Sequence, residues 1–188
     1  MHLSLPSLSH LSDAVGQCAA CPLAKSRCNP AVYRGAERAD VMVIGDVPTD
    51  ADDAVGVPFA GEVGEGLDKM VLSAGLSLAD VHITHLVKCH SPESRRPTKT
   101  ELDACRGFLD AQIDLVRPRV IVALGVVVTQ ALTNATRFLE VRGRWHEYRG
   151  IPVMPTHHPS HLYRNADLRR GSQRDMQLVA AKLGRTSR

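Results

Sequence analysis

Two neighbouring segments constrain the fold of this chain more than any other feature. In residues 98–118, TKTELDACRGFLDAQIDLVRP, apolar side chains recur at helical spacing, Thr100 is a candidate N-cap and Pro118 ends the pattern. The next residues, RVIVALG at 119–125, form a short continuous apolar run that predicts a buried strand. A helix that leads directly into a buried strand is typical of α/β proteins with a parallel sheet.

The same alternation continues along the rest of the chain. Further strands are predicted in DVMVIGDVP, VHITHLVK and, after a turn at HEYRG, in IPVMPT. Further helices are predicted in EVGEGLDKMVLSAGL, VVVTQALTN and DLRRGSQRDMQLVAAKLG. The pattern therefore predicts an α/β fold in which helices cover both faces of a parallel sheet. With 188 residues and no repeat or linker, residues 1–188 are expected to form a single domain.

Composition narrows the class of protein without deciding its function. The net charge is +3 and the pI is about 8.7, which permits an acidic partner such as nucleic acid but does not require one. No apolar run is long enough to span a bilayer, and the first residues lack the pattern of a signal peptide. We therefore expect a cytoplasmic protein that does not bind membranes.

The five cysteines suggest a metal site in a reducing compartment. Cys18 and Cys21 form a C-x-x-C pair, whereas Cys89 and Cys105 lie far along the chain, and Cys28 is left over. Thiolates bind zinc or an iron–sulfur cluster, and the spacing does not separate the two. The alternative is that the two distant cysteines are simply buried apolar thiols.

Three loops that follow predicted strands carry polar side chains. In α/β folds, sites form at the carboxyl ends of parallel strands, so GDVPTDADD, CHSPESRRP and THHPSHLYR are expected to meet there. In the first loop Asp46 and Asp50 could position a water or stabilise a cation, or could be solvated turn residues. Phe59, shortly after it, could belong to the core or form a stacking platform.

The last loop holds three histidines, His157, His158 and His161. A metal site, a catalytic histidine and a polar surface loop are all compatible with this pattern. His157 and His158 are adjacent, which makes sharing one ion geometrically awkward. His158 differs from the others because Pro159 restrains it to extended conformations and so fixes where its side chain points.

Taken in order, these motifs resemble the family 4 uracil-DNA glycosylases, the iron–sulfur branch of that superfamily. The resemblance is carried by GDVPTDADDAVGVPFAG, ITHLVKC, RPTKTELDAC, RPRVIVALG and RGRWHEYRGIPVMPTHHPSHLYRN together with the cysteine spacing. It implies a three-layer α/β/α fold with a central four-stranded parallel sheet. It also implies a structural 4Fe–4S cluster on an N-terminal segment of about residues 15–35. The implied ligands are Cys18, Cys21, Cys89 and Cys105.

The resemblance further implies a monomeric enzyme that flips uracil out of single- or double-stranded DNA and hydrolyses its N-glycosidic bond, initiating base excision repair. His158 would be the catalytic donor to uracil O2, and Asp46 or Asp50 would orient water or balance the positive charge of the sugar. The substrate-binding residues implied are Phe59, which stacks on the base, His85, Val47, and Leu162 and Arg164, which enter the DNA helix.

The chain departs from the family pattern at three positions. Asp46 replaces a glutamate, Thr49 replaces a glycine, and His85 replaces an asparagine. An asparagine amide accepts from uracil N3–H and donates to O4 at once, whereas one imidazole nitrogen does only one of these. The chain could therefore accept other deaminated bases, excise uracil weakly or recognise uracil in another way. The alternative is a catalytically altered or covalently crosslinking uracil-DNA-binding protein of the same fold.

Overall fold

The computed structural model describes residues 3–162 and 165–185. Within them, one six-stranded sheet has the order β1-β3-β2-β4-β6-β5. The strands are β1 (Arg34–Gly35), β2 (Val41–Gly45), β3 (Val81–His85), β4 (Val120–Leu124), β5 (His146–Tyr148) and β6 (Ile151–Thr156). The four central strands are parallel, which confirms the predicted sheet, and β1 and β5 add short antiparallel edges. The prediction of a turn at HEYRG is wrong in part, because its first three residues form β5.

Helices precede or follow most of the strands. They are α1 (Leu8–Gly16), α2 (Leu23–Ser26), α3 (Asp50–Val55), α4 (Gly61–Ser73), α5 (Lys99–Val116), α6 (Gly125–Thr133), α7 (Phe138–Val141) and α8 (Ala166–Lys182). The N-cap of α5 is Thr98, so the prediction of Thr100 is wrong. Thr98 Oγ1 accepts from the backbone N–H of Glu101, and the Glu101 carboxylate accepts from that of Thr98. This reciprocal capping box starts the helix before Thr100.

Successive side chains of the central strands point to opposite faces, and each face is covered by helices. Val41 and Val43 pack with α4 and α8, whereas Met42 and Ile44 pack with α5 and α6. The three-layer α/β/α arrangement is therefore confirmed. A third apolar cluster joins α1, α2 and α5 around Cys89 and Cys105. None of the helices in the described ranges is both long and apolar enough to cross a membrane.

The strand register decides which residues meet at the carboxyl edge of the sheet. Gly45, the last residue of β2, pairs with His85, the last residue of β3. Leu124 at the end of β4 pairs with Thr156 at the end of β6, and the histidine loop follows directly. The edge therefore brings together three segments that are far apart in the sequence.

Candidate functional site

Three aromatic rings meet at the carboxyl edge of the sheet. Phe59 stacks on His85 with ring centroids 4.6 Å apart and an interplanar angle of 22°. The same ring lies 5.6 Å from that of His158 at 31°. Phe59 follows α3, His85 ends β3 and His158 follows β6, so this edge brings together side chains from three distant parts of the chain. Only 4% of Phe59 is exposed, so the ring is enclosed by its neighbours.

Asp52 fixes the position of His85. Its Oδ2 atom lies 3.1 Å from Nε2 of His85, and both side chains are almost completely buried. The carboxylate also accepts from the backbone N–H groups of Ala60 (2.6 Å) and Thr49 (3.0 Å). Burial alone would raise the pKa of Asp52, but the hydrogen bonds from His85 and these backbone groups lower it. Asp52 is therefore a carboxylate that acts only as a hydrogen-bond acceptor.

The pair leaves His85 neutral at physiological pH. Burial lowers the pKa of His85, and this outweighs the raising effect of the Asp52 and Asp46 carboxylates. Its Nδ1 atom is buried and has no hydrogen-bond partner among the described residues. His85 is thus held at one ring nitrogen and unsatisfied at the other.

His158 is held in one tautomer by the residue two positions after it. The backbone N–H of Ser160 donates to Nδ1 of His158 (3.3 Å), and the Ser160 hydroxyl lies 2.7 Å from the same atom. Since a backbone N–H can only donate, Nδ1 carries the lone pair and Nε2 carries the proton. Burial lowers the pKa of His158 to about 4, against the raising effect of Asp46. The ring is therefore a neutral donor through Nε2.

The structure places the two predicted acidic residues differently. Asp46 is half-buried, accepts from the backbone N–H of Val47 (3.0 Å), and is close enough to act on the pKa of both His85 and His158. Asp50 lies in the first turn of α3 with an exposed side chain, 3.2 Å from Nε2 of His90 but not aligned for a hydrogen bond. Of these two carboxylates, Asp46 is therefore the one that acts on the histidines beside the Phe59 ring.

Val47 and Leu162, two further predicted binding residues, are both packed against other side chains. Val47 is half-buried and packs against the cluster that contains Cys89. Leu162 is only 9% exposed and packs in the core, so insertion into DNA requires it to leave this position. Arg164 lies outside the described residues. His161 is exposed with its ring 6.3 Å from that of His158, and His157 is buried with its edge against Phe138.

The four predicted cysteine ligands line one small cavity. Cys18 and Cys21 lie between α1 and α2, Cys89 follows β3, and Cys105 lies on α5. Among the described residues no three such side chains are placed to hold a single metal ion. Zinc and iron–sulfur clusters both take four thiolate ligands, so the residue types around this cavity fit either group. Cys28 is exposed and does not line this cavity.

Hydrogen bonds of Arg27 and Asp53 tie the cysteine segment to the rest of the molecule. Arg27 donates through Nη1 to Sγ of Cys89 (3.0 Å) and through Nη2 to the carbonyl of Gly16 (2.6 Å). The carboxylate of Asp53, which is buried on α3, accepts from the backbone N–H groups of Cys28 and Asn29. The cysteine segment is thus fastened to the helix that also carries Asp52.

Comparison with known proteins agrees with this geometry. The model of the uracil DNA glycosylase superfamily matches residues 32–183. The chain belongs to this superfamily. A type-4 uracil-DNA glycosylase from Thermotoga maritima is 37% identical over 158 residues, which are 82% of each chain. One from Pyrobaculum aerophilum is 33% identical over 180 residues, covering 91% of this chain and 92% of the relative. A solution NMR structure from Methanosarcina acetivorans has the same fold, with a TM-score of 0.53 at 11% identity over 81% of this chain and 98% of that one.

Sequence reasoning did not single out Asp52 in this member of the superfamily. The residue stands among four aspartates in one loop, where solvated side chains are the common outcome. A signal was nevertheless present, because Thr49-x-x-Asp52 matches a capping box. Thr49 is indeed the N-cap of α3, and Asp52 turns its carboxylate back toward the loop. From there it reaches His85, which no local pattern predicts.

Gly45→Ala is expected to destabilise the protein by about 1–3 kcal/mol through overpacking. An added Cβ atom would lie 2.5 Å from Nδ1 of His85 and 2.6 Å from Cζ of Phe59, so both rings would have to shift. Gly16→Ala is the matched control, because its Cβ meets nothing within 4 Å. Chemical denaturation of both variants measures the difference. Equal unfolding free energies would show that the rings are not packed against Gly45.

Proposed function

We propose that this chain is a uracil-DNA glycosylase that flips uracil out of DNA and hydrolyses its N-glycosidic bond, leaving an abasic site for base excision repair. The observation that carries the proposal is the neutral His158, held as an Nε2–H donor by Ser160 beside the buried ring of Phe59. The type-4 uracil-DNA glycosylases that cover most of the chain support the same activity. Other deaminated bases are included as substrates because His85 replaces the usual asparagine.

His158 would act on the leaving base. A base in a duplex is inaccessible, so the nucleotide first rotates out of the stack at a cost of a few kcal/mol. As the bond to the sugar breaks, the base becomes an anion with charge on O2. A fixed donor aimed at that oxygen stabilises the transition state, and removal of one such donor in other enzymes costs ~3 kcal/mol. His158 meets this requirement because its proton is already on Nε2 and the ring is restrained by Pro159 and Ser160.

Asp46 would act on the sugar. The sugar gains positive charge as the bond breaks, and a nearby carboxylate stabilises that charge or orients the attacking water. Asp46 is favoured over Asp50 because it is close enough to act on His158, whereas Asp50 points to solvent beside His90. We propose Asp46 as the catalytic carboxylate and assign Asp50 no role in the reaction.

DNA contacts would be largely electrostatic. Lysine and arginine contacts to phosphates offset the cost of flipping and make binding weaker as salt increases. The chain has 23 basic residues against 20 acidic ones, a balance that suits this partner. We keep Leu162 and Arg164 as the segment that would enter the DNA, next to the histidine loop.

We further propose a 4Fe–4S cluster on Cys18, Cys21, Cys89 and Cys105. The four thiols line one cavity, and Arg27 donates to the Cys89 sulfur, as expected beside a negatively charged thiolate group. The bound cluster would supply a crosslink between the N-terminal segment, the loop after β3 and α5. The residues of this segment then hold α3 in place through Asp53.

The proposal is tested with oligonucleotides that contain one uracil, in single strands and in duplexes. The wild-type protein is expected to produce abasic sites that alkali converts into strand breaks, and none in the matched thymine oligonucleotide. Duplexes with hypoxanthine or xanthine in place of uracil define the base range. Binding to the uracil oligonucleotide without any cleavage would instead support the catalytically altered alternative, and an adduct that survives denaturation would identify a crosslinking protein.

A further inference from the structure

We infer that the Asp52–His85 pair reads the ring N–H of the flipped base, with the bare Nδ1 of His85 as the acceptor. The inference rests on the proposed function and names its substrate class. This class is bases with a protonated ring nitrogen at the pairing edge, as in uracil N3–H, hypoxanthine N1–H and xanthine N1–H. Cytosine N3 and adenine N1 carry lone pairs instead, so both bases are rejected.

The tautomer of His85 follows from the bonds of Asp52. One carboxylate oxygen accepts from the backbone N–H of Ala60 at 2.6 Å, and the other from that of Thr49 at 3.0 Å. A carboxylate that receives these bonds accepts from Nε2 of His85 as well, so the single proton of the neutral ring is on Nε2. The Nδ1 atom is left with a lone pair.

The Nδ1 atom is the unsatisfied polar group of the pair. The atom is buried without a hydrogen-bond partner among the described residues, although His85 is only 1% exposed. Buried polar atoms without partners are rare in native proteins, and those that occur often mark functional sites. Nδ1 lies above Gly45 and close to the edge of the Phe59 ring, because a Cβ on Gly45 would contact both. It therefore lies in the same ring cluster as the donor His158.

Asp52 acts here as a positioning residue. It contacts neither the base nor the sugar in this scheme, but it decides which ring nitrogen of His85 carries the proton. Asp52→Asn replaces one oxygen with an NH₂ group that donates to Nε2, and the proton of His85 then moves to Nδ1. In a serine protease the corresponding change traps the wrong histidine tautomer and lowers kcat about 10⁴-fold.

Thymine and guanine share the same ring N–H, so the Asp52–His85 pair does not exclude them. Thymine is one methyl group larger than uracil, so its exclusion has to come from the space around Phe59 and Gly45, where even a Cβ added to Gly45 would lie too close to both rings. The pair accordingly separates deaminated bases from cytosine and adenine, but it does not separate them from thymine or guanine. An asparagine reads two atoms of uracil, whereas His85 reads one, which widens the base range to hypoxanthine and xanthine.

A double-mutant cycle and a modified base test the inference. The cycle compares Asp52→Asn in the wild type with the same change in the His85→Asn background. In that background residue 85 has no imidazole ring, so the change cannot alter a tautomer. We expect kcat/KM on single-stranded uracil oligonucleotides to fall about 10²-fold or more in the first case and several-fold in the second. Equal losses in both backgrounds would show that Asp52 only supports the loop and would overturn the inference.

The modified base is 3-methyluracil, which lacks the N3–H and does not pair. In single strands the wild type is expected to prefer uracil over 3-methyluracil at least about 10²-fold, because 3-methyluracil leaves the Nδ1 acceptor of His85 without a hydrogen-bond donor. Equal use of both bases by the wild type would overturn the inference. Absence of uracil cleavage by the wild type would refute the proposed function instead, and equilibrium binding of the same two oligonucleotides would then still decide whether Nδ1 reads the base.

Discussion

His158→Ala is expected to lower the single-turnover rate of uracil excision about 10²- to 10³-fold while DNA affinity changes little. The reason is that Nε2–H of His158 is needed only when charge develops on the leaving base. Ser160 and Pro159 hold the ring before the base arrives, so no reorganisation is required at the moment of bond cleavage. The rate is measured with enzyme in excess over a uracil oligonucleotide, and affinity with the same DNA by anisotropy.

His161→Ala is the matched control for this variant. His161 is exposed in the same loop, three residues further on, and its ring meets that of His158 at its edge. Its removal is expected to change the rate less than about 3-fold, as for surface substitutions in general. Equal losses in His158→Ala and His161→Ala would place the catalytic donor elsewhere.

The acid side of the pH profile follows from the same residue. The pKa of His158 is lowered to about 4 by burial, so the neutral donor is fully present at pH 7. Protonation as pH falls toward about 4 removes the lone pair on Nδ1 and breaks the hydrogen bond from the backbone N–H of Ser160. Excision is therefore retained through mildly acidic pH, where a histidine with an ordinary pKa would already be charged.

The sequence allowed the sheet to be predicted because each central strand is a short apolar run with turn residues at its end. Every position is buried in VMVIG, VHITH and VIVAL. Short apolar runs of this kind are typical of buried strands in a parallel sheet. The edge strands could not be predicted in the same way. β1 has two residues and β5 three, so neither shows a repeating pattern, and both depend on pairing with a neighbour.

Features of the site that depend on a single loop could be predicted from the sequence, whereas contacts between distant segments could not. The placement of His158 followed from Pro159 and the end of β6. The pairing of Asp52 with His85 joins residues 33 positions apart, and it depends on the register between β2 and β3 and on the capping of α3. Asp52 and Asp53 are both buried, although an aspartate-rich loop favours exposure, because each accepts from backbone N–H groups: Asp52 from Ala60, and Asp53 from Cys28 in a distant segment.

Cys105→Ala is expected to have the largest effect on stability, lowering Tm by about 10–20 °C, which corresponds to ~5 kcal/mol in a chain of this size. Cys105 is buried on α5, and it is the one residue of that helix among the four cysteines proposed to hold the cluster. Loss of one ligand is expected to lower the iron content from about four atoms per chain and remove the brown colour. Calorimetry and iron analysis of the purified variant measure both changes.

Cys28→Ala provides the control, since Cys28 is exposed and does not line the cysteine cavity. Iron content and Tm are expected to match the wild type.

The Cys105 variant should also lose excision activity, because the released segment no longer presents the N–H groups of Cys28 and Asn29 to Asp53, and α3 also carries Asp52. Limited proteolysis should then cut first within residues 15–35, ahead of the sheet. If the Cys105 variant keeps its iron and Tm, the cysteines are ordinary buried thiols and the proposed role of the cluster as a crosslink fails. Loss of iron with full activity would show that the site around His85 does not depend on the cluster.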